Sequence, residues 1–294
     1  MRELVLIHGR SQQHKDAAAL KREWIAALVD GLEKSHLALP ILESAIHFPY
    51  YCDTLIDLVN GLPPDQVADI IVKGDNANDE ERAFTLAIVR EIGQQAGLTD
   101  AQIAAIAGDA VIQKGPLNWG WVRAILGAID RHVPLGSGAS IALATNDVYQ
   151  YLGNPGIRDR IEEGVRKAIA KTPTVVVAHS LGSVVAYNLL RREGTGNGWQ
   201  VPLFVTVGCP LAVTAIRKAL TPNKHPECVV DWFNAMDDRD IVALYALDAS
   251  HGWGINPAID NKTDVKNPTP NRHGISGYLS DPVVAQRIYE ALIV

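Results

Sequence analysis

Apolar residues form two alternating patterns along this chain of 294 residues. Continuous apolar runs, typical of strands buried on both faces of a sheet, lie at residues 3–7, 175–177, 201–207 and 228–236. Weaker runs at 41–48 and about 256–266 predict two further strands. Between the runs, apolar residues recur every three or four positions, which predicts amphipathic helices. Strands that alternate with helices indicate a mostly parallel central sheet flanked by helices.

The stretch from about residue 55 to 153 departs from this alternation. Its patterns predict helices at 79–96 and 99–107, the second of which begins with the capping box Thr99-x-x-Gln102. No clear buried strand interrupts the stretch. We therefore expect one domain spanning residues 1–294, with residues 55–153 inserted as a helical cap or lid above the carboxyl ends of the strands. The alternative is that these helices only cover the flank of the sheet.

Charge, hydropathy and cysteine content limit the functions and the cellular locations that we expect for this chain. The net charge is −6 with no basic stripe, which argues against nucleic-acid binding. No apolar run reaches the ~20 residues that a transmembrane helix needs. A strand begins directly after Met1 and Arg2, which leaves no room for a signal peptide, so we expect a cytoplasmic protein. Three cysteines have neither paired nor metal-ligand spacing. We expect no metal and no cofactor, and the sequence leaves the oligomeric state open.

The segment at residues 175–190, VVVAHSLGSVVAYNLL, carries the strongest chemical signal. An apolar strand runs into Ser180, and a helical pattern begins at Leu181 and stops near Gly194. Such a sharp strand-to-helix turn raises the serine hydroxyl above the sheet, beside the free N–H groups of the helix. A serine needs a base and a positioned carboxylate to become a nucleophile. The alternative is a serine that only caps a helix.

Chain order selects the partners of the serine, because in this type of sheet the acid and then the histidine follow it. Asp240 is the preferred acid, since the apolar residues after it would hold its backbone against the core. Asp237 and Asp238 are expected in the solvated part of the same loop. His273 is the preferred base, because it lies in a loop just before the last helix. His251 follows Asp240 too closely for another strand to form before it.

Two backbone N–H groups are the candidates for holding the negative charge that develops on a reacting carbonyl oxygen. One belongs to Leu181, directly after the serine, and the other to Arg10, in the loop after the first strand. His179, Trp119 and Trp121 are the candidates for the substrate pocket.

Four segments resemble the α/β-hydrolase superfamily, and specifically its esterase and lipase branch: VLIHG, VVVAHSLG, WFNAMDDRDIVA and RHGISGYL. The likeness covers residues 3–10, 174–190 and 201–294 and leaves out the insertion. Ala178 departs from the family pattern, which has glycine there. The resemblance implies an α/β-hydrolase fold, a triad of Ser180, Asp240 and His273, and an oxyanion hole at Arg10 and Leu181.

The resemblance also implies an activity, namely hydrolysis of a small-molecule or lipid-like carboxylic ester through an acyl-enzyme, without metal or cofactor. Two other readings stay open on sequence alone. An acyltransferase or thioesterase would use the same triad, and a hydrolase-like scaffold could serve as a non-enzymatic binding protein.

Overall fold

A six-stranded parallel sheet forms the centre of the computed structural model, which describes residues 2–9, 16–51, 78–109, 111, 119–134 and 136–294. The strands are β1 (Glu3–Ile7), β2 (Ile46–His47), β3 (Thr174–His179), β4 (Val201–Val207), β5 (Val229–Ala235) and β6 (Asp260–Lys262). They lie in the order β2-β1-β3-β4-β5-β6, and each neighbouring pair is parallel. The predicted α/β fold with a parallel sheet is confirmed.

Helices flank the sheet. Along the described residues they are α1 (Ala17–Glu33), α2 (Asp79–Gln95), α3 (Asp100–Ala107), α4 (Trp119–His132), α5 (Gly138–Gly153), α6 (Pro155–Ala168), α7 (Leu181–Glu193), α8 (Thr214–Ala219), α9 (Ile275–Leu279) and α10 (Pro282–Ile293). The capping box at Thr99 is present at the start of α3. The predicted stop near Gly194 matches the end of α7.

Alternate residues of each central strand face opposite cores, as the two-residue period of a strand requires. Val5 and Ile7 of β1 join the larger apolar core, which contains residues of α2 and α4 to α7. Leu4 and Leu6 join the second core, which contains residues of α1, α9 and α10. The runs at 3–7, 175–177 and 201–207 therefore correspond to strands that are covered on both faces, whereas β5 has two exposed residues, Val230 and Asp231, near its start.

The predicted strand at 41–48 is wrong over most of its length. Residues Glu43–Ala45 form a 3₁₀ turn, and only Ile46–His47 pair with β1. Leu42 is 71% exposed, so the apolar run does not mark a buried strand here. The other edge strand, β6, is also short, and short edges limit pairing with other chains.

The described part of the predicted insertion consists of helices α2 to α5, while residues 52–77, 110, 112–118 and 135 lie outside the described residues. No helix in the described ranges is long and apolar enough to cross a membrane. Cys209 is buried and Cys228 is half-buried, and both are free thiols. Cys52 lies outside the described residues.

The first turn of α7 rests directly on the carboxyl end of β1, and Gly182 makes this contact possible. A Cβ atom at Gly182 would lie 2.4 Å from the carbonyl oxygen of Ile7 and 2.6 Å from that of His8. Both atoms belong to the backbone and cannot rotate away. Gly182 therefore determines how closely α7 approaches the sheet.

Gly182→Ala is expected to lower the free energy of unfolding by at least about 1–3 kcal/mol, because the methyl group would overlap backbone oxygens. Gly153→Ala is the matched control, since a Cβ atom there meets nothing within 4 Å. That control should stay within about 0.5 kcal/mol of the wild type. Urea denaturation measures both, and equal stability of the two variants would contradict the close contact.

Candidate active site

Ser180 lies in the turn between β3 and α7 with unusual backbone angles. Its φ is +55° and its ψ is −128°, in a region that costs of order 1–3 kcal/mol for residues other than glycine. Its N–H donates a hydrogen bond to the carbonyl oxygen of Val207 (3.2 Å), and its carbonyl oxygen accepts one from the N–H of Ser183 (2.9 Å). The structure therefore contains the predicted sharp turn, held by two hydrogen bonds.

Small residues surround this turn. A Cβ atom at Gly9 would lie 2.7 Å from the Cβ of Ser180 and 3.2 Å from its Oγ. Only a residue without a side chain leaves the serine hydroxyl its room there. Ala178 is fully buried, and its carbonyl oxygen accepts a hydrogen bond from the Ser183 hydroxyl (3.0 Å). Alanine is thus accommodated at the position where the family pattern has glycine.

His273 connects Ser180 to Asp240. Its Nε2 lies 2.9 Å from Ser180 Oγ, and its Nδ1 lies 2.7 Å from Asp240 Oδ2. A carboxylate oxygen can only accept, so Nδ1 carries the proton and Nε2 accepts from the serine hydroxyl. This tautomer leaves the lone pair of Nε2 aimed at the proton that a nucleophilic serine must lose.

The other acids and bases considered from the sequence lie elsewhere. The Asp238 side chain is 62% exposed and lies 3.7 Å from Arg239. His251 Nδ1 lies 2.9 Å from Asp248 Oδ1, and its ring stacks on Tyr245. Neither Asp238 nor His251 contacts the serine through the hydrogen bonds of the described residues.

The Asp240 carboxylate is buried but fully hydrogen-bonded. Its Oδ1 accepts from the N–H groups of Val242 (2.9 Å) and Ala243 (3.4 Å), and its Oδ2 also accepts from the Tyr278 hydroxyl (2.6 Å). Burial by itself would raise the pKa of Asp240. Electrostatic attraction to His273 and the hydrogen bonds from His273, Tyr278 and the backbone outweigh it and hold the pKa below its usual value. The carboxylate is therefore ionised at neutral pH.

Asp237 is fully buried, so the prediction that it lies in the solvated part of the loop is wrong. Its carboxylate accepts from the N–H groups of Arg239 (2.8 Å) and Asn267 (2.8 Å), and Arg272 Nη1 lies 3.9 Å from Oδ2. The Asp240 N–H donates to the Asp237 carbonyl oxygen (3.0 Å). Asp237 therefore ties the loop of Asp240 to the loop of His273.

No signal in the sequence indicated a role for Asn267. This residue holds together the loop that carries His273, which we call the base loop. Its side-chain N–H donates to the Gly274 carbonyl oxygen (2.8 Å), and its Oδ1 accepts from the Thr269 hydroxyl (2.6 Å). It is fully buried, and a buried polar side chain must find partners. No spacing in the sequence distinguishes this asparagine from one in an exposed turn.

His179 supports the base rather than the substrate pocket for which it was a candidate. Its Nε2–H donates to the backbone carbonyl oxygen of His273 (2.7 Å), and the two rings lie 4.7 Å apart. Burial is the main cause that lowers the pKa of His179 to about 3. His179 is therefore neutral, and it donates a hydrogen bond to the loop that carries His273.

His8, at the end of β1, is a second buried neutral histidine. Its Nδ1–H donates to the Gly9 carbonyl oxygen (2.7 Å), and its Nε2 accepts from the Tyr51 N–H (3.4 Å). The Tyr51 hydroxyl also donates to the His8 carbonyl oxygen. Burial lowers the pKa of His8 to about 4. These contacts hold the chain that leads into the predicted oxyanion loop.

Of the two predicted oxyanion donors, Leu181 is described and Arg10 lies outside the described residues. Leu181 is the first residue of α7, where N–H groups have no partner inside the helix and the helix dipole is positive. Its position directly after Ser180 suits it to stabilise negative charge close to the serine oxygen.

An apolar cleft opens beside Ser180 and Leu181. The cleft is narrow, with room for about two water molecules. Side chains of α2, α5 and the segment around α8 line it, chiefly Ile88, Ile92, Ile141, Val148, Val213 and Ile216. The polar exceptions are Thr145 and the buried Asp147.

The two candidate tryptophans are not among the described residues that line this cleft. Trp119 and Trp121 begin α4 and pack, half-buried, against the larger core. Within the described ranges, no three His, Cys, Asp or Glu side chains are grouped as metal ligands would be.

The chain matches no protein-family model, no curated protein and no solved structure. The geometry of the site and the sequence pattern around its residues are therefore the basis for a function.

The buried neutral histidines make stability sensitive to mild acid. The unfolded chain takes up protons on His8 and His179 below about pH 6.5, while the folded chain does so only near pH 4 and 3. The free energy of unfolding must therefore fall as the pH drops through that range, by up to about 1.4 kcal/mol per pH unit for each histidine. Asp240 acts in the same direction at lower pH, from the ordinary pKa of a carboxyl group down to its own lowered pKa.

His179→Gln is expected to reduce the slope of unfolding free energy against pH between pH 6.5 and 5. The control is His132→Gln, at an exposed position at the end of α4, which should leave the slope unchanged. Urea denaturation at several pH values measures the slopes. Equal slopes in the wild type and His179→Gln would contradict a neutral buried His179.

Proposed function

We propose that this chain is a serine hydrolase of carboxylic esters, built on an α/β-hydrolase fold. The observation that carries the proposal is the chain of hydrogen bonds from Ser180 through His273 to Asp240, at 2.9 Å and 2.7 Å. The three side chains follow β3, β5 and β6 in the order serine, acid, histidine, which is the order typical of this fold. The strained turn at Ser180 adds independent support, because strain of this kind clusters at active sites.

The first half of the reaction follows from these positions. Ser180 Oγ attacks the ester carbonyl carbon while His273 Nε2 takes the hydroxyl proton. Negative charge moves onto the carbonyl oxygen, where the N–H of Leu181 stabilises it together with a second donor that we assign to Arg10. When the carbon–oxygen bond to the alcohol breaks, His273 gives its proton to the departing oxygen. An acyl group then remains on Ser180.

Water completes the cycle. A water molecule gives a proton to His273 Nε2 and attacks the acyl carbon, and the bond to Ser180 Oγ breaks as the serine regains its proton. The products are a carboxylic acid and the free enzyme. Asp240 stays ionised throughout and stabilises the positively charged imidazole that forms twice in each cycle.

The apolar cleft supports an acyl group of hydrocarbon character as the substrate part bound beside Ser180. Each CH₂ group that leaves water there gains about 0.8 kcal/mol. Helices α2 and α5 contribute Ile88, Ile92, Ile141 and Val148 to its lining, so we assign to residues 55–153 the role of a cap that shapes the acyl site.

Ser180→Ala is expected to abolish hydrolysis of p-nitrophenyl esters, because the nucleophilic oxygen is gone. The assay uses esters with acyl chains from C2 to C16, and the preferred length reports the depth of the cleft. Ser183→Ala is the matched control, since this buried hydroxyl three residues away donates to the carbonyl oxygen of Ala178 (3.0 Å) and is not part of the hydrogen bonds that join Ser180, His273 and Asp240. It should keep its turnover and its labelling by a fluorophosphonate.

A wild-type protein that neither turns over any ester nor reacts with a fluorophosphonate at Ser180 would refute the hydrolase. Unchanged turnover in folded Ser180→Ala would refute this serine as its nucleophile.

Asp240→Asn is expected to lower kcat by about 10³–10⁴-fold, because an amide cannot hold His273 in the tautomer that accepts the serine proton. Asp238→Asn, two residues earlier in the same loop but exposed, should stay within about twofold of the wild type. Steady-state kinetics on the best ester compares the two. Similar losses in both variants would point to a general effect on the loop and contradict the role of Asp240.

A further inference from the structure

Tyr278 and His273 both contact the same oxygen of Asp240. The Tyr278 hydroxyl lies 2.6 Å from Asp240 Oδ2, and His273 Nδ1 lies 2.7 Å from that oxygen. The same hydroxyl accepts a hydrogen bond from the backbone N–H of Asp237 (3.3 Å). Since the Asp237 N–H occupies a lone pair of the phenol oxygen, the phenol proton is directed to Asp240.

The surroundings hold the tyrosine in this position. Tyr278 is fully buried on α9, which begins two residues after His273. Gly208 has φ +55°, and a Cβ atom there would lie 3.1 Å from the Tyr278 ring and 3.1 Å from the His179 ring. The absence of a side chain at Gly208 therefore leaves space for the two rings that flank the base loop.

Tyr278 remains a donor under all ordinary conditions. Burial and the negative charge of Asp240 raise its pKa above the usual value for a tyrosine. The neutral hydroxyl keeps its proton, and a carboxylate that already accepts two backbone N–H groups accepts it as well.

We propose that Tyr278 is a positioning residue that tunes the basicity of His273 by sharing Oδ2 of Asp240. The inference rests on the proposed function and adds a residue to its machinery. A hydrogen bond from the phenol draws electron density from Oδ2, so Asp240 stabilises the protonated imidazole less than an unshared carboxylate would. The phenol also selects one rotamer of Asp240 and so aims His273 Nε2 at Ser180.

Other charged and titratable groups face the same site. His179 lies against the His273 ring, and His8 acts on His179 from the end of β1. Asp237 lies behind Asp240 with Arg239 and Arg272 beside it. Asp147 belongs to the cleft that Ser180 lines. All of them are unchanged in the variants below, so a difference between variants reports on the phenol.

The test compares pH profiles of kcat/KM on the best ester, together with the pH dependence of fluorophosphonate labelling at Ser180. Tyr278→Phe removes the donor and should move the acid limb of both profiles up by about 0.5–1 pH unit. It should lower kcat about tenfold with little change in KM, because alignment and not substrate binding is lost. Tyr187→Phe is the matched control, since this buried hydroxyl contacts the backbone of Lys224 and not Asp240. The acid limb of this variant should stay at the wild-type position.

A second variant covers the case in which Tyr278→Phe does not fold. Site-specific replacement of Tyr278 by 3-fluorotyrosine keeps the shape of the ring but makes the hydroxyl a stronger donor. Its acid limb should move in the opposite direction, to lower pH.

Acid limbs that stay at the wild-type position in every folded variant would overturn the inference, while Ser180-dependent turnover in the wild type would leave the proposed function standing. No Ser180-dependent turnover or labelling in the wild type would instead mean that the proposed function fails, and the inference with it.

Discussion

The close approach of three backbone segments around Ser180 is the constraint on which the site depends. Gly182 brings the first turn of α7 onto the carboxyl end of β1, and Gly9 brings the loop after β1 onto the serine side chain. Between them, Ser180 itself accepts a positive φ. A side chain at either glycine would push the serine away from its neighbours. The strain at one residue is thus offset by tight packing at two others, which is how strained conformations persist in folded proteins.

The loops that carry Asp240 and His273 depend on buried polar groups rather than on apolar packing. Asp237 joins the two loops, and Asn267 holds the base loop to Gly274. At the neighbouring strand ends, Asn234 bonds Thr206 and Asn261, and Asn261 in turn bonds the backbone of Leu247. Each such group would be costly if left without a partner. A network in which every member is bonded therefore allows few alternative loop conformations, and this gives the site its preorganisation.

The parallel sheet could be predicted from the sequence because it depends on local patterns. Chain order pointed to Ser180, Asp240 and His273 as a candidate triad, and hydrogen bonds join these three side chains. Runs such as 201–207 are apolar on both faces, and the strand-to-helix turn at Ser180 is written in consecutive residues. The failures have a common physical cause. Asp237 looks solvated because it neighbours other charges, yet its two oxygens are bonded by N–H groups that come from Arg239 and from a loop thirty residues away. The run at 41–48 looks like a strand because its apolar content does not reveal that Leu42 faces solvent.

The buried neutral histidines His8 and His179 affect both the candidate active site and the stability of the fold. His179 donates to the carbonyl oxygen of His273 through its Nε2–H. A positive charge on His179 would oppose the imidazolium that the proposed mechanism forms on His273. Burial secures the neutral form, because a charged imidazole cannot be solvated in that position. The same burial lowers the free energy of unfolding in mild acid. Burial of His179 therefore favours the orientation of His273 but lowers the stability of the fold in acid. The geometry around Ser180 shows the buried, neutral arrangement.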